Sequence, residues 1–149
     1  MPFLTAWAGI YDIAKPMLGE TVVISAAAGP VGSTAGQFAK AIGAKVVGIA
    51  GGPEKCAQVI KTFGFDTCVD YKKESFEKDL RAACPDGVNV YFDNVGGAVL
   101  ETCILQLALN SRVVLCGLMD QYNQAERPKS PNLGPVIGAR AMLKGLVVY

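Results

Sequence analysis

Residues 25–40 read SAAAGPVGSTAGQFAK and directly follow the short apolar run TVVIS of residues 21–25. The run is rich in β-branched residues and predicts a strand. The stretch VGSTAGQFAKAIG that follows has apolar residues at helical spacing and ends at Gly43, which predicts a helix. A strand, a glycine-rich turn and a helix N-terminus in this order are typical of a site for a dinucleotide pyrophosphate, because N–H groups of the first helical turn face the anion.

The turn departs at one position from the usual glycine pattern of such sites. Aligned on that pattern, Ala27, Gly29 and Gly32 stand where glycines provide the tight turn, the close approach to pyrophosphate and the helix packing. Alanine requires a negative φ but adds only a methyl group, so we expect the turn to form with slightly different geometry. The alternative is that the small residues only let the helix approach the strand, and Gly36 fits that role.

The rest of the chain alternates short apolar runs with longer amphipathic stretches. Several of the runs are apolar at successive positions, as in strands that helices cover on both faces. The pattern predicts an α/β fold, a doubly wound parallel sheet (Rossmann fold) of about six strands with helices on both faces, formed as one domain over residues 1–149. The predicted strands are 21–25, 45–50, 67–71, 88–95, 112–117 and 144–149, the predicted helices are 31–43, 53–64, 73–87 and 97–109, and residues 120–135 are predicted to form a surface loop.

Composition narrows the classes of partner. Lys and Arg total 14 against 13 Asp and Glu, a net charge of +1, so we expect neither nucleic acid nor a membrane surface as a partner. The five cysteines are odd in number and widely spaced, and histidine is absent, which argues against a disulfide framework and a zinc site. We therefore expect reduced thiols, no bound metal and a cytoplasmic location, since neither a secretory leader nor a membrane span is recognisable.

The end of the second predicted strand indicates which dinucleotide binds. NAD-binding domains place an acid there to bond the adenosine ribose, whereas this chain has Ala50, Gly51 and Gly52. Lys55, near the start of the next helix, can donate charge-assisted hydrogen bonds to a 2′-phosphate. These residues favour NADP(H), although Lys55 taken alone is equally explained as a solvated helix charge.

The carboxyl ends of the later strands are expected at the same edge of the sheet. Asn94 and Gly96 follow the run VYF, and Cys116 ends the next strand. Ligands of open α/β sheets bind at this edge. Asp93 is either a general base or, more commonly for the cluster DNVGG, a turn residue. Cys116 need only offer its backbone.

The whole chain resembles the cofactor-binding domain of zinc-independent medium-chain dehydrogenases/reductases, in the branch of prostaglandin reductases, alkenal double-bond reductases and curcumin reductases. The motifs LTAWAGIYDIAKPMLGETVVISAAAGPVGS, VVGIAGGPEKC, PDGVNVYFDNVGG and VVLCGLMDQYN carry the resemblance. It implies a pyrophosphate cradle, a 2′-phosphate site and a nicotinamide end. The residues implied are Gly29, Pro30, Val31 and Gly32 for the cradle, Lys55 and Tyr71 for the 2′-phosphate, and Asn94, Cys116, Gly117 and Tyr122 for the ribose and nicotinamide.

The resemblance also implies an activity and a larger protein. Members of the branch use NADPH to reduce the activated carbon–carbon double bond of enones or alkenals, and quinone reduction is a close alternative. We expect a homodimeric parent enzyme whose N-terminal catalytic domain is not part of these 149 residues, so that the chain alone is nearly inactive. A nucleotide-binding module without turnover is the second alternative, and the sequence identifies no catalytic residue.

Overall fold

The computed structural model describes residues 1–126 and 128–149 and contains one six-stranded parallel sheet. The strand order is β3-β2-β1-β4-β5-β6, which confirms the predicted doubly wound Rossmann fold. The strands are β1 (Thr21–Ile24), β2 (Lys45–Ala50), β3 (Thr67–Asp70), β4 (Val88–Asp93), β5 (Leu107–Leu115) and β6 (Met142–Gly145). The helices are α1 (Pro2–Trp7), α2 (Pro30–Ile42), α3 (Pro53–Lys61), α4 (Phe76–Ala83), α5 (Gly97–Ile104) and α6 (Gly134–Gly138), and α1 continues into a π-helical segment, Ala8–Ala14.

Helices cover the sheet on both faces. Ala35 of α2 and Val59 of α3 pack in one buried cluster together with α1 and the π-helical segment. Leu80 of α4 and Leu100 of α5 pack in a second cluster on the opposite face. Central strand β1 is buried along its whole length, which explains its uninterrupted apolar sequence. No helix in the described ranges combines the length and apolar character needed to cross a bilayer.

The boundaries of several elements differ from the prediction. Helix α5 ends at Ile104, and strand β5 already begins at Leu107, although LQLAL reads as a continuing helix. The pairing of β4 with β5 shifts register between Val88 and Val90, and Asn110 takes a left-handed φ of 58°, so this strand starts irregularly. A short apolar run does not by itself distinguish a buried strand from a helix, and here pairing with β4 decides the outcome.

Four further elements also differ from the sequence prediction. The N-terminal α1 and the π-helical segment were not predicted, and β6 begins at Met142 rather than at residue 144. Helix α6 begins within the predicted loop 120–135, of which Arg127 lies outside the described residues. The prediction that α2 ends at Gly43 is confirmed, because Gly43 caps the helix with a left-handed φ of 97°.

Arg112 attaches the N-terminal segment to the sheet. Its guanidinium donates hydrogen bonds to both carboxylate oxygens of Glu20, at 3.0 and 2.7 Å, and to the carbonyl oxygens of Ala14 and Lys15. Only 17% and 15% of the two side chains are exposed, so the pair is well shielded from water. The hydrogen bonds from Arg112 hold the pKa of Glu20 below its ordinary value of 4.5.

Replacing Glu20 with glutamine is expected to lower the free energy of unfolding at neutral pH by about 1–3 kcal/mol, because charged hydrogen bonds are lost. A carboxylate with a lowered pKa stabilises the fold above its unfolded pKa, and this contribution disappears as the pH falls through the folded pKa. Urea unfolding should therefore show a difference between wild type and variant that shrinks well below pH 4.5.

The matched control is Glu77→Gln, which breaks the exposed Glu77–Arg81 pair of α4. Exposed ion pairs contribute about 0–1 kcal/mol to stability. This variant should therefore unfold almost like wild type, both at neutral pH and well below pH 4.5. Equal losses in the two variants would contradict a special role for Glu20.

Candidate functional site

A cleft of about 640 Å³ opens at the carboxyl ends of the strands. It spans the point between β1 and β4 where the strand order reverses direction, the usual ligand site of doubly wound sheets. The turn after β1, the end of β2, helix α3 and the loop after β5 form its walls. Their lining residues are mostly small or apolar, and they include Gly29, Gly51, Lys55, Gln58, Tyr71, Val95, Met119 and Asp120.

The turn between β1 and α2 brings backbone N–H groups to the cleft. Gly29 is the N-cap of α2 and has no side chain to occupy the helix N-terminus. A Cβ atom on Gly32 would overlap the carbonyl oxygen of Ala26, so only glycine allows this approach. The N–H groups of the first turn, after Pro30, are thus available to an anion in the cleft.

The conformational adjustment in this turn falls one residue earlier than expected. Ala26, rather than Ala27, takes the left-handed conformation, with a φ of 47°. The expectation of a negative φ at Ala27 agrees with the structure, because Ala27 is not among the residues of positive φ. Its N–H instead donates to the carbonyl of Ile49 at 3.0 Å, which ties the turn to β2. The role expected for Gly36 is also seen, since a Cβ there would overlap the ring of Phe65.

A positively charged side chain and an aromatic hydroxyl both line the β2 end of the cleft. Lys55 of α3 and Tyr71, just after β3, both line it. A Cβ atom on Gly51 would lie 3.0 Å from the Tyr71 hydroxyl and 3.0 Å from Cε of Lys72. The side chain of Lys72 therefore also passes beside Gly51, a feature that the sequence analysis missed. Gly51 leaves the space that the side chains of Tyr71 and Lys72 occupy.

Asp70, an acidic residue near this end of the cleft, is held by backbone hydrogen bonds. Oδ1 of Asp70 accepts hydrogen bonds from the N–H groups of Gly52 and Lys72, both at 3.0 Å, and these lower the pKa of Asp70. Among the described residues that line the cleft, the one acid is Asp120, which comes from the loop after β5. Lys55 is thus the one charged side chain of the described lining at the β2 end.

Asp93 organises the opposite wall, at the end of β4. It is fully buried, and its Oδ1 accepts hydrogen bonds from Tyr91 Oη at 2.8 Å, Ser25 Oγ at 3.3 Å and the N–H groups of Val95 and Gly96 at 3.0 and 2.9 Å. Burial is the main cause that raises the pKa of Tyr91, whose hydroxyl stays protonated and donates. The turn role considered for Asp93 is confirmed by these bonds.

Asn94 joins the ends of β1 and β4. Its N–H donates to Ser25 Oγ and its Nδ2 donates to the Ser25 carbonyl, both at 2.9 Å. The sequence pattern predicted Asn94 as a site residue but not Ser25. The position of Ser25 at the carboxyl end of the strand run TVVIS could have indicated it. The two residues together hold the strands at the reversal point of the sheet.

The loop after β5 folds over the end of β4. The N–H groups of Cys116 and Gly117 donate to the Asp93 carbonyl, at 2.8 and 3.1 Å. The Tyr122 hydroxyl accepts a hydrogen bond of 3.2 Å from the N–H of Leu118, and a Cβ on Gly117 would lie 3.3 Å from that hydroxyl. Burial raises the pKa of the Cys116 thiol, so the side chain stays protonated and uncharged. A role for the Cys116 backbone is compatible with such a side chain.

The predicted site residues thus form three groups along one sheet edge. Gly29, Lys55 and Tyr71 line the cleft itself, and Pro30, Val31 and Gly32 form the first turn of α2 beside it. Asn94, Cys116, Gly117 and Tyr122 lie together at the ends of β4 and β5. Their ligand roles stay predictions. All five cysteines are free thiols, and the described ranges contain no cluster of three or more metal-ligating side chains.

Comparison with known proteins gives close matches along nearly the whole chain. The family described as zinc-binding dehydrogenase matches residues 30–149. The chain is 43% identical over 144 residues to the NADPH-dependent curcumin reductase of Escherichia coli, covering 97% of this chain and 42% of that protein. It is 47% identical over 150 residues to prostaglandin reductase 1 of Mus musculus, covering 99% and 45%.

Solved structures agree with the fold. The crystal structure of CurA from Vibrio vulnificus in complex with NADPH superposes with a TM-score of 0.93 at 40% identity, covering 99% of this chain and 45% of that one. The chain therefore spans less than half the length of these relatives.

Proposed function

Because the chain belongs to the zinc-binding dehydrogenase family, in its zinc-independent branch of curcumin, alkenal and prostaglandin reductases, we propose that its cleft binds NADPH. We propose that the protein uses it to reduce the activated carbon–carbon double bond of enones or alkenals. When bound, NADPH supplies the hydride that adds to the β-carbon of such a substrate. The observation that carries the proposal is that Lys55 and Tyr71 both line the cleft at its β2 end.

The shape of the turn after β1 supports a pyrophosphate site. Gly29 and Gly32 keep the first turn of α2 free of side chains, and Pro30 sets the helix direction without removing a needed N–H. The N–H groups of Val31 and Gly32 would then donate to the pyrophosphate, where the positive end of the helix dipole favours negative charge.

The two ends of the cleft distinguish the two halves of the cofactor. Lys55, with Tyr71, would bind the 2′-phosphate that NADPH has and NADH lacks. At the other end, Asn94 and Gly117 would border the nicotinamide, and Tyr122 would hydrogen-bond a ribose hydroxyl. The backbone of Cys116 completes this end. These residues position the cofactor, and none of them needs to transfer a proton.

Replacing Lys55 with alanine is expected to weaken NADPH binding about 10- to 100-fold, the value of a charge-assisted hydrogen bond of about 1.5–3 kcal/mol. NADH binding should hardly change, because NADH has no 2′-phosphate. Isothermal titration calorimetry of both cofactors with wild type and variant measures the two affinities. Wild type should prefer NADPH.

Lys61→Ala is the matched control, because Lys61 lies in the last turn of the same helix and does not line the cleft. It removes the same charge and should leave both affinities near wild type. Equal affinity of the wild type for NADPH and NADH would overturn the assignment of the 2′-phosphate site. If both substitutions weakened NADPH binding equally, Lys55 would act only through the net charge of the protein and not through a direct contact.

Three further proposals concern the whole protein. We propose that residues 1–149 form the NADP-binding domain of a longer reductase, in keeping with the share of its relatives that the chain spans. We also propose a cytoplasmic homodimer. The terminal position of β6 in the sheet, beside exposed Leu109, Ile137 and Met142, supports an interface at that edge. Sedimentation equilibrium of the longer protein tests the dimer, and a monomer would contradict it.

A further inference from the structure

A second cavity of about 740 Å³ lies outside the cleft, along the outer edge of β3. Because β3 is the terminal strand of the sheet, α3 borders this groove on one side and α4 on the other. Apolar Ile60 and polar Asp70 and Lys73 contribute to its walls. Two cysteines, Cys56 of α3 and Cys68 of β3, also line it and are therefore reachable from solvent through the same opening.

The two cysteines lie near each other, because both line the same groove and Cys56 is one of the neighbours that raise the pKa of the Cys68 thiol. Cys56 Sγ lies 3.9 Å from the carbonyl oxygen of Ala50, to which it donates weakly. Both side chains are free thiols, and both are partly buried against the same core cluster. Of the remaining three cysteines, Cys84 and Cys103 are buried in the second cluster, on the other face of the sheet. Cys116 follows β5 and does not line this groove. Cys56 and Cys68 are therefore the two cysteines that we expect to form a disulfide with each other.

We propose that Cys56 and Cys68 form a redox modification site, at which a low-molecular-weight disulfide converts the two thiols into an intramolecular disulfide. The Cys56 thiolate attacks one sulfur of the small disulfide, forming a mixed disulfide and releasing one small thiol. The Cys68 thiolate then attacks the Cys56 sulfur, closes the protein disulfide and releases the second small thiol. The protein loses two electrons and two protons, which the two released thiols carry.

The order of the two attacks follows from the surroundings of Cys68. Burial, and then the hydrogen bond with Cys56, raise the pKa of the Cys68 thiol. The thiolate is the reactive form, so Cys68 is a poor first nucleophile and acts as the resolving thiol. Its place in the same groove as Cys56 makes the second attack intramolecular, which compensates for its low thiolate fraction.

The modification has a consequence for the cleft that rests on the proposed function. Lys55 precedes Cys56 in α3, and the helix follows Gly51 and Gly52, where Gly52 has a left-handed φ of 97°. A disulfide would draw the first turn of α3 toward β3 and so move Lys55 relative to Tyr71. We expect the oxidised protein to bind NADPH at least threefold more weakly than the reduced protein, with NADH binding unchanged.

The test treats the whole chain with glutathione disulfide, alkylates the remaining thiols after unfolding and maps the peptides by mass spectrometry. We expect two of five thiols to be lost and one crosslinked peptide pair joining Cys56 to Cys68. Cys68→Ser should stop at the mixed disulfide on Cys56, and Cys56→Ser should leave Cys68 reduced. Cys84→Ala, a change outside the groove, should crosslink like wild type.

Two results would overturn the proposal: wild-type protein that accumulates the mixed disulfide on Cys56 without a crosslink, or a crosslink that joins a different pair. This readout does not depend on NADPH, so it stands even if the cofactor assignment fails. Calorimetry on the oxidised and reduced forms then tests the link to Lys55, and equal NADPH affinities would refute that link alone.

Discussion

Replacing Asp93 with alanine is expected to lower the free energy of unfolding by about 3–5 kcal/mol, because each buried donor left without an acceptor costs about 1–3 kcal/mol. Four donors share Oδ1 of Asp93: the hydroxyls of Tyr91 and Ser25 and the N–H groups of Val95 and Gly96. Urea unfolding followed by circular dichroism measures the loss. A domain of this size has a total stability of roughly 5–15 kcal/mol, so the loss is a large fraction of the total.

Asp93→Asn is the matched control, since it keeps an acceptor oxygen at the same place. Oδ2 of Asp93 is buried and finds no hydrogen-bond partner among the described residues, so an amide nitrogen there would lack an acceptor. We therefore expect an intermediate loss of about 1–3 kcal/mol. If alanine and asparagine were equally harmful, the charge of the carboxylate rather than its acceptor geometry would be the important property.

The 149-residue chain alone, saturated with NADPH, is expected to reduce a simple alkenone several orders of magnitude more slowly than the longer protein that we propose. Holding a substrate against the cofactor contributes roughly 7–11 kcal/mol to a typical rate enhancement. At the proposed nicotinamide end, beside the cleft, Tyr122 is 69% exposed, so this end is open to water. The chain positions the cofactor but not the acceptor carbon.

The measurement is NADPH oxidation with the alkenone, by this chain and by the longer protein at equal saturation. Calorimetry on the same samples is the control, and NADPH affinity should be similar in both. Comparable rates would mean that the substrate site lies within these residues. An inactive longer protein that still binds NADPH would favour a nucleotide-binding module without turnover.

The fold was predictable because most strands have a recognisable local sequence pattern. Runs such as TVVIS and KVVGIA are β-branched and buried, and Gly43 marks a helix end by its left-handed φ. The failures have non-local causes. The start of β5 at Leu107 depends on pairing with β4. The π-helical segment packs Gly9 against the ring of Phe92, where a Cβ would overlap the ring, and this contact joins segments far apart in the chain.

The position of Gly29 and Lys55 at the cleft was predictable, because backbone requirements and charge leave a mark at fixed spacing from a strand, while their ligand roles stay predictions. The network of Ser25, Tyr91 and Asp93 was not, although Asp93 was recognised as a turn residue. Its members come from two strands that meet only in the folded sheet. The side chain of Lys72 beside Gly51 depends in the same way on how β3 lies against β2.

The bonds between Ser25 and the β4 end also bear on the order of folding, because they join residues 68 and 69 positions apart in the chain. Contacts between distant segments close large loops and form late. A folding intermediate that contains only β1, β2 and β3 would therefore hold the β2 end of the cleft, the proposed 2′-phosphate site, without the opposite wall. A ligand that needs both walls binds only the completed domain, so it raises the free energy of global unfolding, by about 2.7 kcal/mol at a hundredfold excess over Kd, and does not favour the intermediate.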